Sequence, residues 1–176
     1  MNNAARPDLP DGGISAAHFI NVDDFNRAEI DYALDLAEYY ARFLREGERP
    51  PQRLAGKTQI NLFFEDSTRT NLSFELAGKK LGADVVNVPV AASSVNKGES
   101  LIDTTQTLAA MGAHVVIVRH REPRVHDELA RRIRRPIVNA GDGVREHPTQ
   151  ALLDAATIRS AFGRIEGLVV AICGDV

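Results

Sequence analysis

Between Phe63 and Glu75 the chain reads FFEDSTRTNLSFE, an apolar run that passes into Ser67, Thr68, Arg69 and Thr70 as a helical period begins. Short hydroxyls, a guanidinium fork and the free N–H groups of a helix start are the parts of an anion site. The helix dipole and the arginine both favour negative charge there, and no glycine-rich loop is required. The same residues also read as an ordinary helix cap with Arg69 in solvent. Further along, AASSVNKGESLIDT (Ala91 to Thr104) places Ser93, Ser94 and Lys97 ahead of a helix. It is either a flexible solvated connection or a lid that brings a hydroxyl and a point charge to a phosphate.

Arg119 and His120 end a run of four β-branched residues, Val115 to Val118. Arg119 is then either a charge marking the strand's exit to water or a cation held beside a crevice; the case for His120 is weaker. In EHPTQALLD (Glu146 to Asp154), His147 precedes a helix-initiating proline and Gln150 falls in the first turn. An imidazole near a helix amino terminus tends to stay neutral and can donate to a carbonyl oxygen, the alternative being a capping or packed histidine.

Other chemistries find no support. His18, His114, His120, His126 and His147 and the single Cys173 lack zinc spacing, no carboxylate cluster suggests a divalent ion, and Ser67 has neither a nearby base nor a G-x-S-x-G setting. Any reaction must rest on positioning and electrostatics. A net charge of −3 gives no overall field for nucleic acid. Cys173 lies in an apolar run, which predicts a core thiol in a reducing compartment. No stretch approaches the ~18 apolar residues of a membrane span, and Met1 to Ser15 is polar without a signal core. These features predict a cytoplasmic protein, with residues 1–15 a disordered tail.

The elements that must position these groups alternate. Asn26 to Glu46 has helical apolar spacing and is closed by Pro50-Pro51; Thr58 to Phe64 reads as a buried strand and Thr70 to Leu81 as a helix ended by Gly82. Then follow strand Asp84 to Val88, helix Leu101 to Met111, strand Val115 to Arg119, helix Pro123 to Ile133, short strand Ile137 to Asn139 and helix Pro148 to Phe162. Such alternation predicts an α/β fold, a mainly parallel sheet with helices on both faces and right-handed crossovers. Ligands of such sheets sit at the carboxyl ends of the strands, where the candidate groups fall. Leu168 to Cys173, followed by Gly174-Asp175-Val176, reads as a buried parallel strand that starts a second α/β domain and lacks its helix, so the chain is expected to be cut early in that domain.

Together FFEDSTRT, SSVNKGESLIDT, VRH and NAGDGVREHPTQALLD resemble the transcarbamoylase family, most closely its aspartate branch, from about Phe19 onward. The resemblance implies a carbamoyl-phosphate-binding domain over 16–150, and over 151–176 a linking helix and the first strand of an aspartate-binding domain. It implies that Ser67, Thr68, Arg69 and Thr70 hold the phosphate, and that Arg119 and His147 complete the site. By the same resemblance His147 and Thr70 polarise the carbonyl oxygen, Gln150 accepts from the carbamoyl amide, and Glu65 links to the aspartate domain. Ser93 (or Ser94) and Lys97 would reach into the neighbouring chain's site in a homotrimer. Asn71 departs from the family pattern, standing where several relatives have arginine. The activity implied is carbamoyl transfer to the amino group of aspartate, early in pyrimidine synthesis, without a cofactor; regulatory or dihydroorotase-like subunits are possible partners.

Two alternatives stand beside this. One is transfer to ornithine or another amino acid, against which Lys97-Gly98-Glu99 is the aspartate-type pattern, its cation suited to a dicarboxylate. The other is a non-catalytic assembly subunit, against which stands the retention of Arg69, Thr70, Lys97, Arg119, His147 and Gln150. Residues 1–176 alone are expected to bind carbamoyl phosphate weakly and not to turn over, because half of each cleft is missing.

Overall fold

The structure, a computed structural model, describes residues 5–89 and 100–174. Helices α1 (Arg27–Arg45), α2 (Thr68–Lys80), α3 (Leu101–Ala110), α4 (Val125–Arg132) and α5 (Pro148–Phe162) alternate with strands β1 (Thr58–Phe63), β2 (Asp84–Pro89), β3 (Val115–His120) and β4 (Ile137–Asp142) after the first helix. The strands form one sheet in the order β2-β1-β3-β4, all pairings parallel. The chain winds outward from β1 to β2, then crosses back to β3. The carboxyl ends of β1 and β3 therefore flank the switch point at which such sheets bind ligands.

The sheet has one apolar and one polar face. Ile60, Leu62, Val116 and Val118 turn to one side and pack with Leu129 and Ile133 of α4 and its flank and with Leu101, Ile102 and Leu108 of α3. Gln59 and Asn61 are buried on the other side. Gln59 Nε2 donates to Asn61 Oδ1 and to the Phe74 carbonyl of α2, both at 2.9 Å; Asn61 Nδ2 donates to Asn87 Oδ1 at 2.8 Å, and Asn87 Nδ2 to Glu75 Oε2 at 2.7 Å. Each amide is thereby satisfied, which removes the cost of about 1–3 kcal/mol for an unpaired buried polar group. Helix α2 comes close to this face because residue 78 is glycine: a Cβ there would fall onto Gln59 Oε1 and 2.7 Å from Val85 Cγ2.

Helix α1 starts with a reciprocal cap, Glu29 N to Asn26 Oδ1 at 3.1 Å and Asn26 N to Glu29 Oε2 at 2.7 Å. It packs on α5, to which Asp35 is tied by Arg159 at 2.7 Å. Residues 5–15 form no helix or strand, but Arg6 donates to the Tyr32 hydroxyl and Ser15 N to Glu29 Oε1.

Several boundaries depart from the expectations. Helix α2 begins at Thr68 rather than Thr70, so the hydroxyls and Arg69 occupy its first turn. Strand β4 runs on to Asp142 instead of ending at Asn139, across a register shift opposite Arg119. Helix α4 begins only at Val125, because Arg124 takes a left-handed backbone with φ 67°. The expected strand Leu168 to Cys173 is not a strand: among the described residues no neighbour pairs with it, and without a ladder partner an extended segment has no place in a sheet. Val169, Val170 and Ile172 are exposed, and Cys173, expected in a core, is an exposed free thiol. No helix among the described residues is long and apolar enough to cross a membrane.

Gly78→Ala should destabilise the chain by about 1–2 kcal/mol. Overpacking against Gln59 and Val85 outweighs alanine's better helix propensity, and denaturant unfolding measures the difference. A second expectation concerns pH. His126 is fully buried with Nε2 2.8 Å from the Val118 carbonyl, and burial holds its pKa below the ordinary imidazole value. His120 and His147 are lowered in the same direction, also mainly by burial. The unfolded chain thus takes up these protons first, so stability is intact above about pH 6.5 and falls as pH drops toward the folded values. The melting temperature should fall between about pH 7 and about pH 5, with a flatter slope in His126→Gln; a pH-independent melting temperature would contradict the assignment.

Candidate anion-binding site

Ser67, Thr68, Arg69, Thr70, Arg119, His147 and Gln150 line one open cleft of about 910 Å³ at the carboxyl ends of β1 and β3, between the amino termini of α2 and α5. The sequence thus brings together residues up to 83 positions apart (Ser67 to Gln150, 150 − 67). Glu65 does not line the cleft, but its Oε2 lies 3.0 Å from Arg119 Nη2. Ser93, Ser94 and Lys97 lie outside the described residues.

The two helix starts differ from those of α1 and α3. Asn26 and Ser100 cap α1 and α3 with side-chain oxygens, whereas Ser67 and His147, at the N-cap positions of α2 and α5, make no side-chain cap bond. In α2 the first intrahelical bond is Asn71 N to Ser67 O at 3.0 Å, so the N–H groups of Thr68, Arg69 and Thr70 have no acceptor among the described residues. Arg69 is exposed and forms no ion pair or hydrogen bond among the described residues. Positive potential from two helix ends and two arginines meets in one space.

Arg119 is fixed from below. It extends from the polar face of β3, its Nη1 donates to the Ala140 carbonyl at 2.9 Å, and its side chain is only 19% exposed. The register shift makes this possible: Val118 faces Asn139 but His120 faces Asp142, so β4 carries one residue more than β3 over that span. Gly141, at φ 122°, lies directly under the guanidinium, where a Cβ would strike Arg119 Nη1. Arg119 Nε is buried without a hydrogen-bond partner among the described residues.

His147 is half-buried; burial first and the Arg119 charge second hold its pKa below the ordinary value, with Asp154 opposing. Its Nδ1 lies 3.3 Å from the Thr149 hydroxyl, while Nε2 has no partner among the described residues. In the tautomer that accepts from Thr149 at Nδ1, the ring proton is on Nε2. Gln150 donates through Nε2 to Asp154 Oδ1 at 2.9 Å. That leaves its carbonyl oxygen as an acceptor.

Sequence reasoning missed Asp66, Ser73, Phe74, Ala77, Thr149 and Leu153, which also line the cleft. Helical spacing was the available signal, since Ser73 and Phe74 follow Thr70 by three and four positions and Leu153 follows Gln150 by three.

Residues 17–160 match the family model for the aspartate/ornithine carbamoyltransferase carbamoyl-P binding domain. The chain is 54% identical over 171 residues to the aspartate carbamoyltransferase catalytic subunit of Gluconobacter oxydans, covering 97% of this chain and 53% of that protein. With the same subunit of Gluconacetobacter diazotrophicus it shares 56% identity over 161 residues, covering 92% and 50%. Among solved structures, aspartate transcarbamoylase from Trypanosoma cruzi, in complex with carbamoyl phosphate and aspartate, superposes with a TM-score of 0.82 at 40% identity, over 91% of this chain and 49% of that one. The chain spans about half the length of the curated relatives it matches. The α/β fold and the match over 17–160 lead to one assignment: this chain belongs to the aspartate/ornithine carbamoyltransferase family and comprises its carbamoyl-phosphate-binding domain.

Proposed function

We propose that the cleft binds carbamoyl phosphate and that the protein transfers its carbamoyl group to the amino group of aspartate, giving N-carbamoyl-aspartate and phosphate. The observation that carries this reading is the convergence of the uncapped α2 start, Arg119 and His147 on one cleft. In it Ser67, Thr68, Arg69 and Thr70 receive the phosphate through hydroxyls, backbone N–H groups and the free guanidinium, and Arg119 adds a second cation. Thr70 and His147 Nε2–H point their protons at the carbonyl oxygen, and the Gln150 carbonyl accepts from the carbamoyl NH2.

The amine nitrogen attacks the carbamoyl carbon, the oxygen gains charge, and the bond to the phosphate oxygen then breaks while the nitrogen gives up a proton. The site answers both charge movements with fixed donors, each worth about 3 kcal/mol where water is excluded. A neutral His147 suits this role, since it adds a donor without a third cation. Phosphate also competes with Glu65 for Arg119, so binding frees Glu65 for the link to an aspartate-binding domain.

Aspartate as acceptor is supported by the relatives, named as aspartate enzymes at 54% and 56% identity. We place the carbamoyl-phosphate domain at 16–150, with 151–176 leading into the aspartate-binding domain. Ser93 or Ser94 and Lys97 serve the neighbouring copy's cleft in a homotrimer; exposed Leu72, Leu76 and Val86 on α2 and β2 support an assembly that covers this edge. We read the protein as a cytoplasmic one that acts early in pyrimidine synthesis, in keeping with the names of its relatives.

Carbamoyl transfer by the whole protein, assayed with aspartate and separately with ornithine, tests the reading. Aspartate-dependent product that is lost in Arg69→Ala is expected. Product only with ornithine would overturn the acceptor, and none with either would overturn the enzymatic reading. For residues 1–176 alone, Arg119→Ala should weaken carbamoyl-phosphate binding by roughly 10- to 100-fold, the range for a lost charged hydrogen bond. It should also raise the His147 pKa toward the ordinary value, because a nearby positive charge is gone; calorimetry and histidine NMR read the two effects.

A further inference from the structure

We propose that Asp142 is the positioning residue of this cleft: it sets His147 and the open start of α5 by pinning the β4–α5 turn, without touching the ligand. The inference builds on the carbamoyl-phosphate reading above.

The Asp142 carboxylate is fully buried and does not line the cleft. A buried charge is tolerable only where donors surround it, and here they are specific. Oδ1 accepts from Glu146 N at 2.6 Å, the residue immediately before His147. Oδ2 accepts from Arg124 N at 3.3 Å and from Arg145 Nη1 at 3.4 Å. The backbone closes the same turn, with Asp142 N donating to Glu146 O at 3.0 Å and Arg145 N to Asp142 O at 3.4 Å. Both ends of the 142–146 turn thus meet on one residue, so the position of residue 147 follows from that of residue 142.

The other donor comes from the facing loop. Arg124 is the one non-glycine residue with positive φ among the described residues, and its N–H is aimed at Asp142 Oδ2. L residues disfavour that backbone, so the bond marks a conformation held for a partner. The turn also presses on the same loop at Gly143, φ 67°, where a Cβ would strike the Arg121 carbonyl. Arg145 closes the outside, bonding Asn21 Oδ1 at 2.8 Å and lying 3.5 Å from Asp127.

Asp142 also follows directly on Ala140 and Gly141, which seat Arg119. One strand end therefore sets the spacing between the second cation and the imidazole. One of the donors to Asp142, Glu146 N, directly precedes the cleft residue His147, which is where a positioning role differs from a general stabilising one.

The test uses Asp142→Asn and Asp142→Ala in the chain as it stands. Asparagine keeps an acceptor for Glu146 N but turns a donor toward Arg124 N–H and the Arg145 guanidinium. Carbamoyl-phosphate affinity, by calorimetry, should fall about 10-fold or more in Asp142→Asn and further in Asp142→Ala.

Histidine NMR supplies the readout that mere destabilisation does not move. His147 faces Arg119, Asp154 and the Thr149 hydroxyl; His126 faces the Val118 carbonyl, Asp142, His120 and Asp127. Loss of the Asp142 charge alone lowers a neighbouring imidazole, whereas release of His147 into solvent raises it. The expected result is a His126 midpoint that falls and a His147 midpoint that rises. Wild-type His147 titration and affinity in folded Asp142→Asn would overturn the proposal, as would both midpoints rising together, the mark of general loosening. Should Asp142→Ala not fold, Asp142→Asn decides. Opposite midpoint shifts in a chain whose wild type fails to bind carbamoyl phosphate would keep the positioning role and overturn the ligand assignment.

Discussion

Positive potential gathered at one end of the sheet is the condition to which the rest of the cleft is fitted. Two helix starts without side-chain caps, Arg69 and Arg119 all point into the same space. Such a concentration has to be held by geometry. Arg119 is seated on the Ala140 carbonyl and paired with Glu65, and His147 is kept neutral by burial and by the arginine beside it. Helices α1 and α3 show the contrast, Asn26 and Ser100 occupying their starts with their own oxygens, while α4 follows the left-handed Arg124 without a side-chain cap. The protein withholds a cap where an external anion is to act as one.

The polar face of the sheet serves the same end by fixing α2. From Gln59 through Asn61 and Asn87 to Glu75 and Lys79, side chains run without a break from the sheet into the helix that carries Arg69 and Thr70. Lys79 first and Asn87 second hold the Glu75 carboxyl below its ordinary pKa, which keeps the end of this network ionised. An apolar face would permit small slides of α2 along the strands; directional bonds at Gln59 and Asn61 permit few. Gly78 sets the depth at which the helix rests on them.

Much of this was legible in the sequence because it follows from period and composition. The alternation of strand and helix, the start of α5 at Pro148 and the chemistry gathered at strand ends all depend on local signals. What was not legible depends on partners far along the chain. Ala140-Gly141-Asp142 has poor β propensity, so β4 seemed to end at Asn139; the extra residue opposite Arg119 becomes sensible only once β3 is beside it. Asp142 was not singled out, since nothing local says that Arg124 N and Glu146 N will converge on it. Leu168 to Cys173 had the composition of a strand, but a strand is completed by a neighbour, and composition supplies none.

The short bridge between Phe19 and Val138 closes one side of the sheet more fully than its length suggests. The outward N–H groups of β4 are each taken: Ile137 by His18 Nδ1, Asn139 by the Phe19 carbonyl and Gly141 by Asn139 Oδ1. On the opposite side Asp84 donates inward to Lys57, so Val85 and Asn87 turn outward and the next such position, Pro89, has no N–H to offer. The sheet is therefore one-sided in what it can recruit. Among the described residues the edge beside β2 is the open one, and a further strand there meets the amides of Val85 and Asn87 before proline ends the ladder.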